Sequence, residues 1–276
     1  MNIKFSKMHA LGNDFVITNN IQQKLILNSN IIKQLSNRHT GIGFDQLLIA
    51  EISNVANIDF NYRIFNADGT EVEQCGNGAR CFALYLKKKC LTLKNNIFVK
   101  TKNRVLKIKF LDNNIICVNM GIPLFLPKDI PYITNKTQEN YKIKFHNKYV
   151  YFNIVSIGNP HCVIQVPSIN NYPVKLIGSF IEDHHVFPKK INVNFMEIVN
   201  NTNIKLRVYE RGVGETYSCG SGACASVAVG IKKKLLSHNV QVDLMGGYVK
   251  VIWDHVTSNL FLLGTACHIY DGNINI

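Results

Sequence analysis

Short stretches in which apolar and polar side chains alternate dominate the chain. Residues Ile58-Asp59-Phe60-Asn61-Tyr62-Arg63-Ile64-Phe65, Val105-Leu106-Lys107-Ile108-Lys109-Phe110 and Ile204-Lys205-Leu206-Arg207-Val208-Tyr209 follow a period of two or carry β-branched side chains, and each predicts a strand. Such strands, separated by turns of Asn, Gly and Asp, predict β-rich domains. Two segments break the pattern. Gly78 to about Lys88 and Gly222 to about Leu236 are rich in Ala, Leu, Val and other apolar residues, and each reaches a lysine triplet near its end, Lys87 to Lys89 and Lys232 to Lys234. Positive charge there suits a helix C-terminus. A helix that is apolar over most of its circumference must be surrounded. The pattern therefore predicts an α+β protein in which curved sheets wrap around central helices, with a third helix, Asn30 to Arg38, outside that arrangement. Met120-Gly121-Ile122-Pro123 punctuates the chain near its middle and marks a domain boundary.

The two helical segments follow one phrase written twice, Cys75-Gly76-Asn77-Gly78-Ala79 and Cys219-Gly220-Ser221-Gly222-Ala223, whose cysteines lie 144 residues apart (219 − 75). Gly12-Asn13 recurs as Gly158-Asn159 at an offset of 146, and the lysine triplet recurs at 145. Three features in register imply a duplicated domain. Two copies of this length are too few and too long for a solenoid, so each should own a core. The expected active site is the cleft between them.

A length of 276 residues suffices for two domains of ordinary size. The formal net charge of +13 invites a nucleic-acid reading, but the lysines are scattered among Asn and Ile rather than gathered with aromatics into a stripe. A composition biased by an A- and T-rich genome accounts for them, and no nucleic-acid partner is expected. Eight cysteines could form a disulfide framework, an economy of small secreted domains. This chain is not small, its first residues carry no signal-peptide stretch, and no run of 18 apolar residues predicts a membrane span. A reducing cytoplasm with free thiols is expected. Zinc is disfavoured, because Cys75/Cys81 and Cys219/Cys224 lack the short paired spacing of structural sites.

A thiol just before a helix sits at the positive end of the dipole, where its thiolate is favoured. The backbone N–H groups of Gly76-Asn77 and Gly220-Ser221 can present donors to a carboxylate, with glycine allowing close approach. Two thiols on opposite sides of one substrate can invert a carbon: one thiolate removes a proton while the other thiol delivers one to the opposite face. Helix dipoles would offset the charge developing on the carboxylate. The alternative for a lone cysteine is a small buried core residue. The twin phrases favour chemistry.

Met8-His9-Ala10-Leu11-Gly12-Asn13-Asp14-Phe15, Gly41-Ile42-Gly43-Phe44-Asp45-Gln46, Asn66-Ala67-Asp68-Gly69, Gln74 to Cys81, Gly158-Asn159-Pro160-His161 and Glu210-Arg211-Gly212-Val213-Gly214-Glu215-Thr216 through Cys224 closely resemble the diaminopimelate epimerase family. The resemblance implies two pseudo-symmetric domains, 1–120 and 121–264, with 265–276 returning to the first. It implies interconversion of LL- and meso-diaminopimelate, on the way to lysine and peptidoglycan precursors, with no PLP, other cofactor or metal. Cys75 and Cys219 become the two bases, Cys75 acting on the LL centre. The Gly76-Asn77 and Gly220-Ser221 amides hold the reacting carboxylate, and Asn13, Gln46, Asn66, Asn159, Asn192, Glu210 and Arg211 contact substrate. His161 and Glu210 tune thiol protonation. An Arg fork suits the distal carboxylate, and Glu210 an ammonium. Asn194, two residues beyond Asn192, is the obvious misassignment. Ala10 and Ser218 depart from the family's usual glycine and alanine without removing a functional group. Proline and hydroxyproline racemases are the nearest rivals, and their substrates lack a second amino-acid centre. The oligomeric state is open, and a homodimer is compatible with the sequence.

Overall fold

The computed structural model describes residues 2–73, 75–134 and 136–276, which leaves out Gln74 of the first cysteine phrase. The chain divides into two compact units, Met1–Asn119 with Leu263–Ile276, and Met120–Leu262. In chain order the first unit is built from β1 (Asn2–Ala10), β2 (Asn13–Asn19), α1 (Ser29–Ser36), β3 (Gln46–Ile52), β4 (Phe60–Asn66), α2 (Gly76–Lys88), β5 (Asn96–Lys100) and β6 (Val105–Phe110), with β7 (Ile116–Gly121) leading out of it. The second contains β8 (Tyr141–Phe145), β9 (Lys148–Ser156), β10 (Pro160–Gln165), α3 (Val174–Glu182), β11 (Asn192–Asn200), β12 (Asn203–Glu210), β13 (Gly214–Thr216), α4 (Gly220–Lys232), β14 (Asn239–Leu244) and β15 (Gly247–Trp253). After β16 (Leu260–Gly264), β17 (Cys267–Asn275) pairs antiparallel with β1.

The duplication is a repeat of strand order. In the first unit β17–β1 and β1–β2 are antiparallel, β2–β3 parallel, β3–β4 antiparallel, β4–β5 parallel and β5–β6 antiparallel. The second unit repeats that series with β8–β9, β9–β10, β10–β11, β11–β12, β12–β14 and β14–β15. A parallel pair cannot be joined by a hairpin and needs a crossover, most often a helix. Each of these four parallel pairs has one: α1 between β2 and β3, α2 between β4 and β5, α3 between β10 and β11, and α4 between β12 and β14.

Alternation along the strands assigns the helices to opposite faces. On β2 and β3, Val16, Leu47 and Ile49 share a core with Ile32 and Leu35 of α1. The intervening Phe15 lies beside α2, as does Tyr62 of β4, whose ring packs on Phe82 at 4.5 Å between centroids. The second unit does the same, with Cys162, Ile164, Val193 and Phe195 against Val174, Ile177 and Ile181 of α3. Asn194 and Val208 meet α4 at Gly222. Helix α4 is buried from Gly220 to Gly230 and packs against β9, β10, β11 and β15. A helix enclosed by its sheet is the arrangement the all-round apolar pattern demands.

The helices differ from expectation in four respects. α1 runs Ser29–Ser36 rather than Asn30 to Arg38, because Asn37 takes an extended conformation and ends it. α2 and α4 start at Gly76 and Gly220, two residues earlier than the apolar run indicates, because Cys75 and Cys219 take the extended N-cap position. α4 ends at Lys232 rather than near Leu236, since Lys234 turns into the left-handed region at φ 59°. α3 carries no signal the alternation could reveal: it opens after Pro173 without a side-chain cap, and Gly178 interrupts it. That glycine is required by packing, because a Cβ there would lie 2.5 Å from Cγ of Tyr209. Among the described residues no helix is long and apolar enough to cross a membrane.

Candidate active site

Each cysteine phrase forms the mouth of a crossover helix. Cys75 is the N-cap of α2, and its Sγ accepts from the Gly78 N–H at 3.2 Å. Gly76 and Asn77 open the helix, where backbone N–H groups find no acceptor within it. Asn13, at the start of β2, places Oδ1 4.0 Å from Cys75 Sγ and 3.5 Å from Asn77 Nδ2. The orientation of both amides is set from behind. Asn77 Oδ1 accepts from Nη2 of the fully buried Arg80 at 3.0 Å, and Arg80 Nε donates to the Thr265 carbonyl at 3.1 Å. Asn13 Nδ2 donates to Asp45 at 2.8 Å. Gln46 and Asn66 stand opposite each other across β3 and β4, Gln46 Nε2 donating to Asn66 Oδ1 at 2.9 Å. Gln46 Oε1 is buried with no partner among the described residues. Gly78 is dictated by Tyr62, whose hydroxyl would lie 2.4 Å from a Cβ at that position.

Beside Asn13 an ion cluster anchors the end of β2. Asp14 accepts two hydrogen bonds from Arg38, at 2.8 and 2.9 Å, and one from Lys7 at 2.6 Å; Arg38 also reaches Asp45 at 2.8 Å. Burial alone would push the Asp14 carboxyl up, but the hydrogen bonds and charges of Arg38 and Lys7 outweigh it and hold the group well below the usual carboxylate range. A depressed folded-state pKa gives stability that is present above the unfolded value, about 3.9, and is lost as pH falls toward the folded one. Asp14→Asn is therefore expected to lower stability at pH 7 by roughly 1.5–3 kcal/mol, the range for hydrogen bonds to charged groups. Denaturation across pH 7 to 2 checks it: the gap to the parent should narrow steadily below about pH 4, whereas a gap independent of pH would refute the electrostatic account.

In the second unit Cys219 caps α4, buried where Cys75 is half-buried. Gly220 and Ser221 open the helix, and the Ser221 hydroxyl lies 3.5 Å from Cys219 Sγ. Asn159 Nδ2 donates to Ser221 Oγ at 3.2 Å, and Asn159 Oδ1 lies 3.1 Å from His161 Nε2. Burial pushes the Cys219 thiol well above its ordinary value and the Glu210 carboxylate, hydrogen-bonded to it, adds to the rise; the Ser221 hydroxyl and Gly222 amide oppose it. Thr216 Oγ1 donates to Glu210 at 2.5 Å. Asn192 binds backbone on both sides, donating to the Pro160 carbonyl at 2.9 Å and accepting from the Arg211 N–H at 3.1 Å. The Arg211 guanidinium donates to the Lys189 carbonyl at 3.3 Å.

Strand register places these residues in equivalent positions. Asn13 and Asn159 each follow a glycine of positive φ, Gly12 at 82° and Gly158 at 90°. Gln46 and Asn192 begin β3 and β11, Asn66 and Glu210 end β4 and β12, and Cys75 and Cys219 cap α2 and α4. The structure thus gathers Cys75, Asn77, Asn13, Gln46 and Asn66 at one end of the first sheet, and Cys219, Ser221, Asn159, His161, Asn192, Glu210 and Arg211 at the same end of the second. Within this symmetry two charges are unmatched: Glu210 and Arg211 stand where the first unit has the neutral Asn66 and Ala67.

The diaminopimelate epimerase family model matches residues 5–126 and 153–269. The chain belongs to the diaminopimelate epimerase family. Among curated members, diaminopimelate epimerase of Buchnera aphidicola subsp. Baizongia pistaciae is 54% identical over 271 residues, covering 98% of this chain and 95% of that protein. The enzyme of the same name from Buchnera aphidicola subsp. Acyrthosiphon pisum (strain APS) is 55% identical over 274 residues, covering 99% and 96%. A hydroxyproline epimerase structure from Agrobacterium vitis shares the fold with a TM-score of 0.75 at 11% identity, covering 99% of this chain and 92% of that one.

Several residues of this candidate site escape sequence reasoning. Arg80 stands inside a quoted motif, but a charged residue amid an apolar helix carries no mark that it will be fully buried and orient Asn77. Asp45 is likewise inside a motif, and only the fold shows it gripping Asn13. Thr216 is also inside a motif, and only the fold shows it donating to Glu210; Asn194 is named from the sequence as the residue to be confused with Asn192, and only the fold shows it meeting His161.

Proposed function

We propose that this protein interconverts LL- and meso-diaminopimelate by a two-base proton transfer in which Cys75 and Cys219 are the bases. The observation that carries the reading is that Cys75 and Cys219 are the N-cap residues of equivalent helices in two copies of one strand pattern. In the LL-to-meso direction Cys75, as thiolate, takes the α-proton, and the electron pair left on carbon is delocalised into the α-carboxylate. The Cys219 thiol then gives its proton to the opposite face. One S–H bond forms and one breaks, so no oxidant, metal or carbonyl cofactor is required by the balance. The opening residues of the two helices, Gly76-Asn77 and Gly220-Ser221, receive the carboxylate on which charge accumulates, where preorganised dipoles act without reorganising during the step.

Specificity comes from groups beyond the reacting carbon. Arg211 supplies a fork for the distal carboxylate and Glu210 an acceptor for an ammonium, while Asn13, Gln46, Asn66, Asn159 and Asn192 orient the rest. Buried amides left unpaired by a shorter amino acid make its binding costly. The buried Gln46 Oε1, without a partner among the described residues, is such a group. This reading places the enzyme in lysine biosynthesis and in the cytoplasm, where reducing conditions keep both thiols available.

Incubation of the reduced protein with LL-diaminopimelate in D2O, without PLP or added metal, tests it. Appearance of the meso isomer with deuterium at the α-carbon is the expected result. No exchange with both thiols reduced, or racemisation of proline in place of diaminopimelate turnover, would overturn it.

A further inference from the structure

Beneath Cys219 runs a chain of polar side chains whose deeper half, His161 and Asn194, has no polar counterpart beneath Cys75, although Asn13 and Asn77 match Asn159 and Ser221. Its deepest member, Asn194, is fully buried on the α4 face of β11, one layer below Asn192. Asn194 Nδ2 lies 2.9 Å from the Cys162 carbonyl and 3.2 Å from His161 Nδ1. A backbone carbonyl can only accept, so the first contact fixes which way the amide faces. The second hydrogen of the same NH2 group then points at Nδ1, which must accept, and the proton of a neutral imidazole is left on Nε2.

From there each role is forced in turn. Nε2–H donates to Asn159 Oδ1 at 3.1 Å, which turns the Asn159 NH2 toward Ser221 Oγ at 3.2 Å. Ser221 Oγ, already accepting, has its hydroxyl hydrogen available for Cys219 Sγ at 3.5 Å. His161 is fully buried, and burial, with help from the Arg211 charge, holds it down to about 3. It is neutral at physiological pH and acts as a relay of orientation, not as an acid or base.

The first unit shows what the fold needs without this chain. The positions equivalent to His161 and Asn194 hold Phe15 and Leu48, both buried. An apolar pair fills the space, so polarity here is not a packing requirement. It also has a cost, since Asn194 Oδ1 is buried with no partner among the described residues. α4 can approach it only because residue 222 is glycine: a Cβ there would stand 2.4 Å from Asn194 Oδ1.

We propose that Asn194 is a positioning residue for the second thiol: by donating to His161 Nδ1 it fixes the imidazole as the Nε2–H tautomer and so aims a line of donors, through Asn159 and Ser221, at Cys219. The line favours the thiolate of Cys219 against Glu210, the charged group that bears on this thiol and favours the protonated form; Arg211 bears on His161. Its catalytic consequence rests on Cys219 being one of the two bases. Its structural content does not.

The experiment is 15N NMR of histidine-labelled protein, with the His161 signals identified by their loss in His161→Gln, together with the pH dependence of Cys219 alkylation by iodoacetamide in a Cys75→Ser background. The expected result is a neutral Nε2–H His161 across pH 5 to 8 in the parent. In Asn194→Leu the tautomer preference is lost, alkylation of Cys219 at neutral pH is about tenfold slower, corresponding to a thiol shifted up by about one unit, and in the two-thiol enzyme kcat falls with KM little changed. An Nδ1–H or cationic His161 in the parent overturns the proposal even if the variant fails to fold. Unchanged alkylation in a folded Asn194→Leu overturns it as well. Neither readout needs diaminopimelate, so the chain can hold while the proposed reaction fails, and the reverse.

Discussion

Replacing either Cys75 or Cys219 by alanine should lower the rate of LL-to-meso interconversion by at least about 10²–10⁴-fold, the contribution expected of one positioned acid or base. The fold should survive. Cys75→Ala removes the acceptor for one helix N–H, a loss of about 1 kcal/mol. Cys219→Ala removes one buried sulfur from a helix enclosed on several sides by strands. Neither is comparable with the loss of a proton-transfer partner, so stability and turnover should separate cleanly. Circular dichroism and the thermal midpoint report the first, and the appearance of meso product in D2O the second. With one thiol remaining, proton abstraction is still open from one face, so deuterium should enter one stereoisomer more than the other without inversion. Near-parental interconversion by either variant would end the two-base reading.

What could be read from the chain alone follows from where information is local. A repeated phrase with two glycines and a cysteine marks a helix mouth by itself, and both mouths lie where the phrases predict. Strand alternation also needs no partner, which is why β6 (Val105–Phe110) coincides with its apolar pattern and β12 differs by one residue at each end. Helix α3 was hidden because its amphipathic face is short, uncapped and broken by Gly178, and only Tyr209 from β12 explains that glycine. The asparagines show a different limit. Asn192 and Asn194 lie on the same face of β11 and are indistinguishable by period; the first abuts the Arg211 backbone, while the second meets His161 on the neighbouring strand. Register between strands, absent from any single segment, decides between them. Arg80 is a similar case, its burial being set by Thr265, which is 185 residues away in sequence.

Glu210→Gln should produce the other large change, and its sign discriminates between two roles. Glutamine keeps the size of the side chain and can still accept from Thr216, whose hydroxyl is 2.5 Å away, but it removes the negative charge at the position where the first unit has the neutral Asn66. If that charge receives a substrate ammonium, its loss leaves a cation unpaired in the site, a cost of about 2–5 kcal/mol for comparable buried pairs and so a fall in kcat/KM of roughly 30-fold or more. The same carboxylate also raises the Cys219 thiol. Removing it must move that thiol down. In the LL-to-meso direction, where Cys219 serves as the acid, the alkaline limb of kcat/KM against pH reports loss of its proton. That limb should shift to lower pH in Glu210→Gln. In the reverse direction Cys219 is the base, and the acidic limb should shift the same way. Parallel displacement of both limbs would establish that one carboxylate serves binding and thiol tuning together. A fall in kcat/KM with both limbs unmoved would confine Glu210 to substrate binding and leave the protonation of Cys219 to burial and the Ser221 side of its environment.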